Sequence, residues 1–377
     1  MKIGLVTWYT SENYGTCLQA YALSEYIKKM GHECVCWSNM RYYRDIADVI
    51  ERGIRKVRSK LQKKQENNKK KYKHELEVKA ERITLFKENF TWVTPQNSRD
   101  FVRLAEECDV IITGSDQIWN PYYLTRTYLL NFVPDSVKKI AYSSSIGVTE
   151  LPNMKKHVYV KYLQRFDRIA VREDSAQVML KKLLKRDIEL VVDPTLLLTE
   201  NDWNKLSEKA HMPDLMRNKP YILCYFVGES LNYSDDVSRI SQYYNLPIVT
   251  VACTDKGLDG SGYIFADAGP NEFVAAIKNA SYICTDSFHA TMLSIVHGKE
   301  FFVFNRFKDN AGKSQNTRLT SITKILGLED RIILNGITMN DISPINYERV
   351  ADKLHYFVRH SEQYLAETIG VSRKDEC

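Results

Sequence analysis

Residues 3–8 form an apolar run rich in strand formers, and residues 16–30 repeat Leu18, Tyr21, Ala22, Tyr26 and Ile27 at helical spacing. Gly31 closes that helix, and residues 32–37 read as a second strand. Strand, helix and strand follow each other this closely only as a β-α-β unit, whose two strands run parallel with the helix on one face. A polar loop at residues 9–15 joins the first strand to the helix, where such folds bind ligands. The opening commits the chain to a doubly wound α/β sheet.

The alternation then breaks. Residues 41–92 are charged, with Ile50, Ile54, Val57 and Leu61, and later Ile83, Phe86 and Phe90, at helical spacing. This reads as a basic helical insertion in the first domain. Short apolar strands resume at residues 109–113, 139–144, 168–171 and 188–192. After the polar stretch 208–219 a second series begins. Residues 221–227, 247–252, 282–285 and 300–304 read as strands, and 235–244, 271–280 and 289–297 as helices. At 377 residues the chain exceeds one ordinary core and suits two. The expected fold is α/β with two Rossmann-like domains. The first spans 1–205 and the second 216–345, with terminal helices in 346–377 that cross back to the first domain.

The net charge of +6 suggests a nucleic-acid partner until it is located. Residues 51–82 hold thirteen Lys and Arg against five Asp and Glu, a net of +8 that leaves the rest at −2. A general nucleic-acid groove is therefore not expected. The basic stretch within residues 50–82 reads either as a solvated helix or as a peripheral contact with an anionic membrane surface. No apolar run is long enough to span a bilayer, and residues 1–6 do not resemble a signal peptide, so a cytoplasmic location is expected. Eight cysteines lack any Cys-x-x-Cys pair and read as buried thiols, without a metal or disulfide role.

Ligands of open parallel sheets bind beyond the carboxyl ends of the strands. Those ends carry Asn13-Tyr14-Gly15-Thr16, Gly114-Ser115-Asp116-Gln117-Ile118-Trp119-Asn120, Ser143-Ser144-Ser145, Arg172-Glu173-Asp174, Asp193-Pro194-Thr195 and Asp286-Ser287-Phe288-His289. Several have structural readings: Asn13 as a cap, Trp119 in a packed turn, Asp193-Pro194 as a helix start. Arg172 directly follows Ile169-Ala170-Val171, so it is drawn to the core edge and needs an anion or carboxylate there. His289 opens a helix whose free N–H groups favour an anion, and imidazole suits proton transfer near neutrality. His297, next to Gly298, reads as a C-terminal cap.

In this order the motifs resemble the polysaccharide pyruvyl transferase family, from residue 3 to about 330. The resemblance implies two domains facing each other across a cleft, as in glycosyltransferases of the B type. It implies phosphoenolpyruvate as the donor substrate, with no cofactor and no metal. The implied acceptor is a hexose of a bacterial surface polysaccharide or its lipid-linked precursor. It puts the catalytic histidine at His289 and a donor-contacting arginine at Arg172. Ser287 and Thr291 are expected to add donor contacts. Asn13, Tyr14, Gly15, Ser115, Asp116, Gln117, Trp119, Ser144 and Asp286 are expected to line the cleft. Two rivals share these features: a nucleotide-sugar glycosyltransferase of the same fold, and a glycan-binding protein without catalysis.

Overall fold

The computed structural model describes residues 1–9, 13–38, 71–228, 233–253, 255–305, 317–334, 336–339 and 342–370. The expected basic helix around residues 50–61 lies outside them.

The first domain runs β1 (Lys2–Val6), α1 (Tyr14–Lys29), β2 (Glu33–Trp37), α2 (Lys73–Phe86), β3 (Trp92–Val93), α3 (Ser98–Glu106), β4 (Val110–Thr113), β5 (Lys138–Ser144), α4 (Asn153–Leu163), β6 (Arg168–Val171), α5 (Asp174–Leu184) and β7 (Glu189–Leu190). Among the described residues its sheet is seven-stranded and parallel, in the order β3-β2-β1-β4-β5-β6-β7. The order reverses between β1 and β4, so the loops leaving those strands diverge and open a crevice. Helix α1 begins at Tyr14 because the Asn13 side chain accepts from Gly15 N. It ends on Lys28 and Lys29, whose charge suits the helix C-terminus, before Gly31 at φ +85°. The expected excursion at residues 41–92 is not wholly outside the core, since Trp92–Val93 closes the sheet edge beside β2.

Helix α6 (Glu200–Ser207) leads to the second domain. There follow β8 (Ile222–Tyr225), α7 (Ser234–Tyr244), β9 (Ile248–Val251), β10 (Tyr263–Phe265), α8 (Pro270–Asn279), β11 (Tyr282–Thr285), α9 (Phe288–Val296), β12 (Glu300–Phe304), α10 (Thr317–Leu326) and β13 (Ile332–Ile333). Its parallel sheet reads β10-β9-β8-β11-β12-β13 and reverses between β8 and β11. His297 is the C-cap residue of α9. The last helix, α11 (Tyr347–Ile369), lies on the first domain. Its Ser361 Oγ accepts from Val192 N at 2.9 Å, and Tyr364 OH donates to Ala141 O at 3.0 Å.

The domains meet closely. One apolar cluster holds Ile3 and Leu18 of the first domain and Leu223 and Phe273 of the second. Tyr14 stacks on Phe273 and donates to Ala268 O at 2.7 Å. From α2, buried Lys79 donates to Ala252 O at 2.8 Å, and Arg82 pairs with Asp267 at 2.9 Å. The end of the insertion thus ties the first domain to the second. The seven described cysteines are free and buried. Among the described residues no helix is long and apolar enough to cross a membrane.

Candidate active site

Both crevices open onto the same place. Between β1 and β4, buried Gln19 donates to Trp8 O at 2.8 Å and accepts from Ser115 N at 3.0 Å, tying the two diverging loops together. Beyond β4, Asp116 has φ +66°, a left-handed conformation costly for a side chain that tends to persist at functional sites. That conformation lets one carboxylate oxygen accept from Gln117 N at 2.8 Å and the other from Thr16 Oγ1 at 3.1 Å.

Arg172 leaves the end of β6 into this crevice and is 4 % exposed. Its NH1 donates to Asp193 Oδ2 at 2.6 Å and to Ser115 Oγ at 3.3 Å, and its NH2 to Asp116 Oδ1 at 3.3 Å. The neighbouring Glu173 is fully buried, takes the Ser145 hydroxyl on Oε1, and keeps that oxygen 3.7 Å from Arg172 Nε. Asp193 is fixed from below, because its Oδ1 accepts from Thr195 N at 3.0 Å and Thr195 Oγ1 at 2.7 Å. Its Pro194 neighbour starts the short 3-10 turn that presents those donors.

The second domain contributes His289, in the first turn of α9. Its Nε2 lies 3.4 Å from Arg172 NH1 and 3.6 Å from Asp193 Oδ2. The Phe288 ring lies under two guanidinium groups, with Arg172 Cζ 4.4 Å and Arg318 Cζ 5.9 Å from its centroid. Arg318 opens α10. The same helix fixes the domain contact, since Ser321 Oγ accepts from Asp174 N at 3.2 Å.

Charges packed this densely out of water must compensate one another. Burial opposes ionisation of Asp193, but His289 and Arg172 hold its carboxyl well below the usual carboxylate range. Asp116 is lowered in the same way, against its burial, by His289, Arg172 and Arg318. For Glu173 burial wins over Arg172 and the Ser145 hydroxyl, and its pKa rises. Arg172 resists its own burial because Asp193, Asp116 and Glu173 surround it, and its pKa rises too. The result is a water-poor site at a domain boundary, with guanidinium groups for anions and an imidazole for protons.

The other expected residues divide. Gly15 abuts His289, with a Cβ built on it falling 2.3 Å from Nδ1. Asn13 caps α1 and accepts from Tyr225 OH at 3.4 Å, while Tyr14 serves the domain contact. Asp286 accepts from Val227 N and Gly228 N, bracing the loops after β8 and β11. Ser287 caps α9. Gln117 Oε1 accepts from Asn120 Nδ2, and Ser144 Oγ donates to Thr113 O. Thr291 does not turn into the site, since its hydroxyl donates to Ser287 O at 3.0 Å inside the helix. Trp119 does not line a cleft either. It is fully buried in the first-domain core, edge-on to Phe166, with Nε1 donating to Tyr128 O. The site instead recruits Thr16, Glu173, Asp193 and Arg318, which the expected set omitted.

A sequence model described as Polysaccharide pyruvyl transferase matches residues 13–307, a span that holds every residue of the cluster except Arg318. The chain belongs to the polysaccharide pyruvyl transferase family. Curated protein sequences give no match. Solved structures give the architecture. An Arabidopsis thaliana UGT protein complexed with UDP is similar with TM-score 0.50 at 8% identity, over 98% of this chain and 99% of that one. The glycosyltransferase SnogD from Streptomyces nogalater gives TM-score 0.48 at 10% identity, over 98% and 99%. UDP-GlcNAc 2-epimerase from Neisseria meningitidis bound to UDP-GlcNAc gives the same values. At 8% identity the likeness to the Arabidopsis thaliana protein concerns the fold alone, and with its own two parallel sheets this pyruvyl transferase family member has the two Rossmann-like domains of the B-type glycosyltransferase architecture.

Proposed function

We propose that the protein transfers pyruvate from phosphoenolpyruvate to a hexose of a bacterial surface polysaccharide or its lipid-linked precursor, forming a ketal. The observation that carries this reading is the approach of Arg172 NH1 and His289 Nε2 to 3.4 Å across the domain boundary, in a site shut off from water. Phosphoenolpyruvate brings about three negative charges, from a carboxylate and a phosphate monoester. The carboxylates of Asp116 and Asp193 already offset the charge of Arg172, so Arg318 supplies a second cation for so anionic a donor.

The reaction needs a proton on the methylene carbon of the donor and attack by one sugar hydroxyl on its central carbon. Phosphate then leaves, and a second hydroxyl attacks the same carbon. Each hydroxyl gives up its proton, so the products are the ketal and inorganic phosphate. His289 moves protons in these steps, and Asp193, 3.6 Å from its Nε2, stabilises the imidazolium that accepting one creates. Closing the boundary over the enol phosphate keeps water from hydrolysing it.

The test is direct. The purified protein is incubated with phosphoenolpyruvate and candidate lipid-linked saccharides while phosphate release and acceptor mass are followed. Phosphate release that depends on the acceptor, with a pyruvyl mass gain, supports the reading. Release of nucleoside diphosphate from a nucleotide sugar, with no reaction of phosphoenolpyruvate, would sink it.

A further inference from the structure

A cavity lies in the second domain, between the ends of β8 and β9. Its floor is apolar, made by Cys224, Val237 and the methyl side of Thr250. One wall is aromatic: Phe226 and Tyr233 stack at 4.8 Å, and Tyr233 is held by donating its hydroxyl to Asn305 O at 2.8 Å. The facing wall is nearly bare backbone. A Cβ on Gly260 would fall 2.6 Å from the Thr250 methyl, and Thr250 Oγ1 donates to Ser261 O at 2.8 Å, so this segment is pinned flat beside β9. Exposed Ser234, Asp259 and Ser261 ring the mouth.

The lining chemistry narrows the ligand. Among the described residues the lining carries one carboxylate, Asp259, together with hydroxyls, and no Lys, Arg or His. Such a lining offers no side-chain cation to a phosphate or carboxylate and suits an uncharged ligand. The lining chemistry suits a pyranose ring, with its C–H face toward the Phe226–Tyr233 wall and its hydroxyls toward Ser234 and Asp259. The pocket is also mechanically joined to the first site. Gly228, on its wall, donates its N–H to Asp286 Oδ2 at 2.8 Å, three residues before His289 on the same chain segment.

We infer that this cavity is a neutral-saccharide subsite, which takes a hexopyranose unit of the acceptor other than the one that receives pyruvate. The role as acceptor subsite rests on the transferase reading above; the binding of a neutral sugar does not. The test uses the intact protein, with methyl glucoside, methyl galactoside and methyl mannoside as probes and uridine monophosphate as the anionic control. Saturation-transfer NMR reads binding to wild type, to Phe226→Ala, which removes the wall, and to Ser234→Trp, which blocks the mouth without touching the core. At least one hexoside is expected to bind wild type and to weaken at least about tenfold in both variants. Uridine monophosphate is expected not to compete. No hexoside binding, binding that survives both variants, or displacement by uridine monophosphate overturns the proposal. Calorimetry with phosphoenolpyruvate on the same samples keeps the two readings apart. Hexoside binding without phosphoenolpyruvate binding removes the donor assignment and leaves the saccharide pocket standing.

Discussion

Gly15 and His289 touch across the domain boundary through the space a side chain would fill: a Cβ on Gly15 would lie 2.3 Å from Nδ1 of His289 and 2.7 Å from its Cβ. The N-terminus of α1 can therefore press on the first turn of α9 only as glycine. Gly15→Ala forces the imidazole aside or spreads the boundary, and either displaces the group to which the proposed reaction assigns proton transfer. Turnover is expected to fall about 10²-fold with the far-ultraviolet circular dichroism unchanged. Combined with His289→Ala, the loss should be less than the product of the two separate losses, because no imidazole remains to displace. Steady-state turnover of the two single variants and the double checks this, and full multiplicativity would refute it.

His289→Ala itself should cost about 10² to 10⁴ in turnover, the usual worth of a proton-transfer group. Donor affinity should change far less, since Arg172 and Arg318 remain beside Phe288. Single-turnover rates and calorimetric affinity separate the two. Turnover within about threefold of wild type, which is under about 1 kcal/mol of barrier, would remove this residue from the mechanism.

The sequence carried the sheet framework because strands and helices alternate with clean apolar periods, and the rule that ligands bind at strand ends pointed at Arg172, Asp116 and His289 together. It misjudged residues whose role depends on what they face. Trp119 sits in a strand-end motif beside Asp116, yet its indole turns into the core, and no local pattern distinguishes those directions. Asp193 looked like a helix-start residue and is one, since it caps the turn at Pro194 with one oxygen. Its other oxygen serves Arg172, and only the three-dimensional neighbour reveals that second use. Arg318 stands at the start of a helix reached from no recognisable strand-end motif, so nothing local singled it out.

Asp193→Asn tests the charge arrangement. The substitution keeps the shape and the oxygen that accepts from Thr195, but Arg172 loses its 2.6 Å carboxylate partner while 4 % exposed. A buried guanidinium left with only part of its compensation costs about 3 kcal/mol of folding stability. Urea unfolding at neutral pH measures it. Stability within about 0.5 kcal/mol of wild type, the range of an ordinary surface change, would show that the pair carries no buried charge imbalance.

His297 gives a prediction about pH that is independent of the proposed reaction. It is the C-cap of α9, its side chain is fully buried, and neither ring nitrogen makes a hydrogen bond; Glu200 is the nearest acid, 3.7 Å from Nδ1. Burial therefore pushes its pKa down from 6.5 to about 4, with Glu200 opposing and Lys299 and Lys278 adding to the shift. The folded protein keeps this imidazole neutral in a range where the unfolded chain protonates it. Its contribution to stability is full above pH 6.5 and is lost as pH falls toward 4, by about 3 kcal/mol in all. Asp116 and Asp193 have lowered pKa values, so their stabilising contributions are lost only at more acidic pH, and the raised pKa of Glu173 acts with the opposite sign. All three are common to wild type and to His297→Gln, which has no titrating ring. Denaturation curves of both proteins at pH 7.5 and 4.5 should therefore show a steeper acid loss in wild type. Parallel losses would mean that the ring is solvated or already charged when folded.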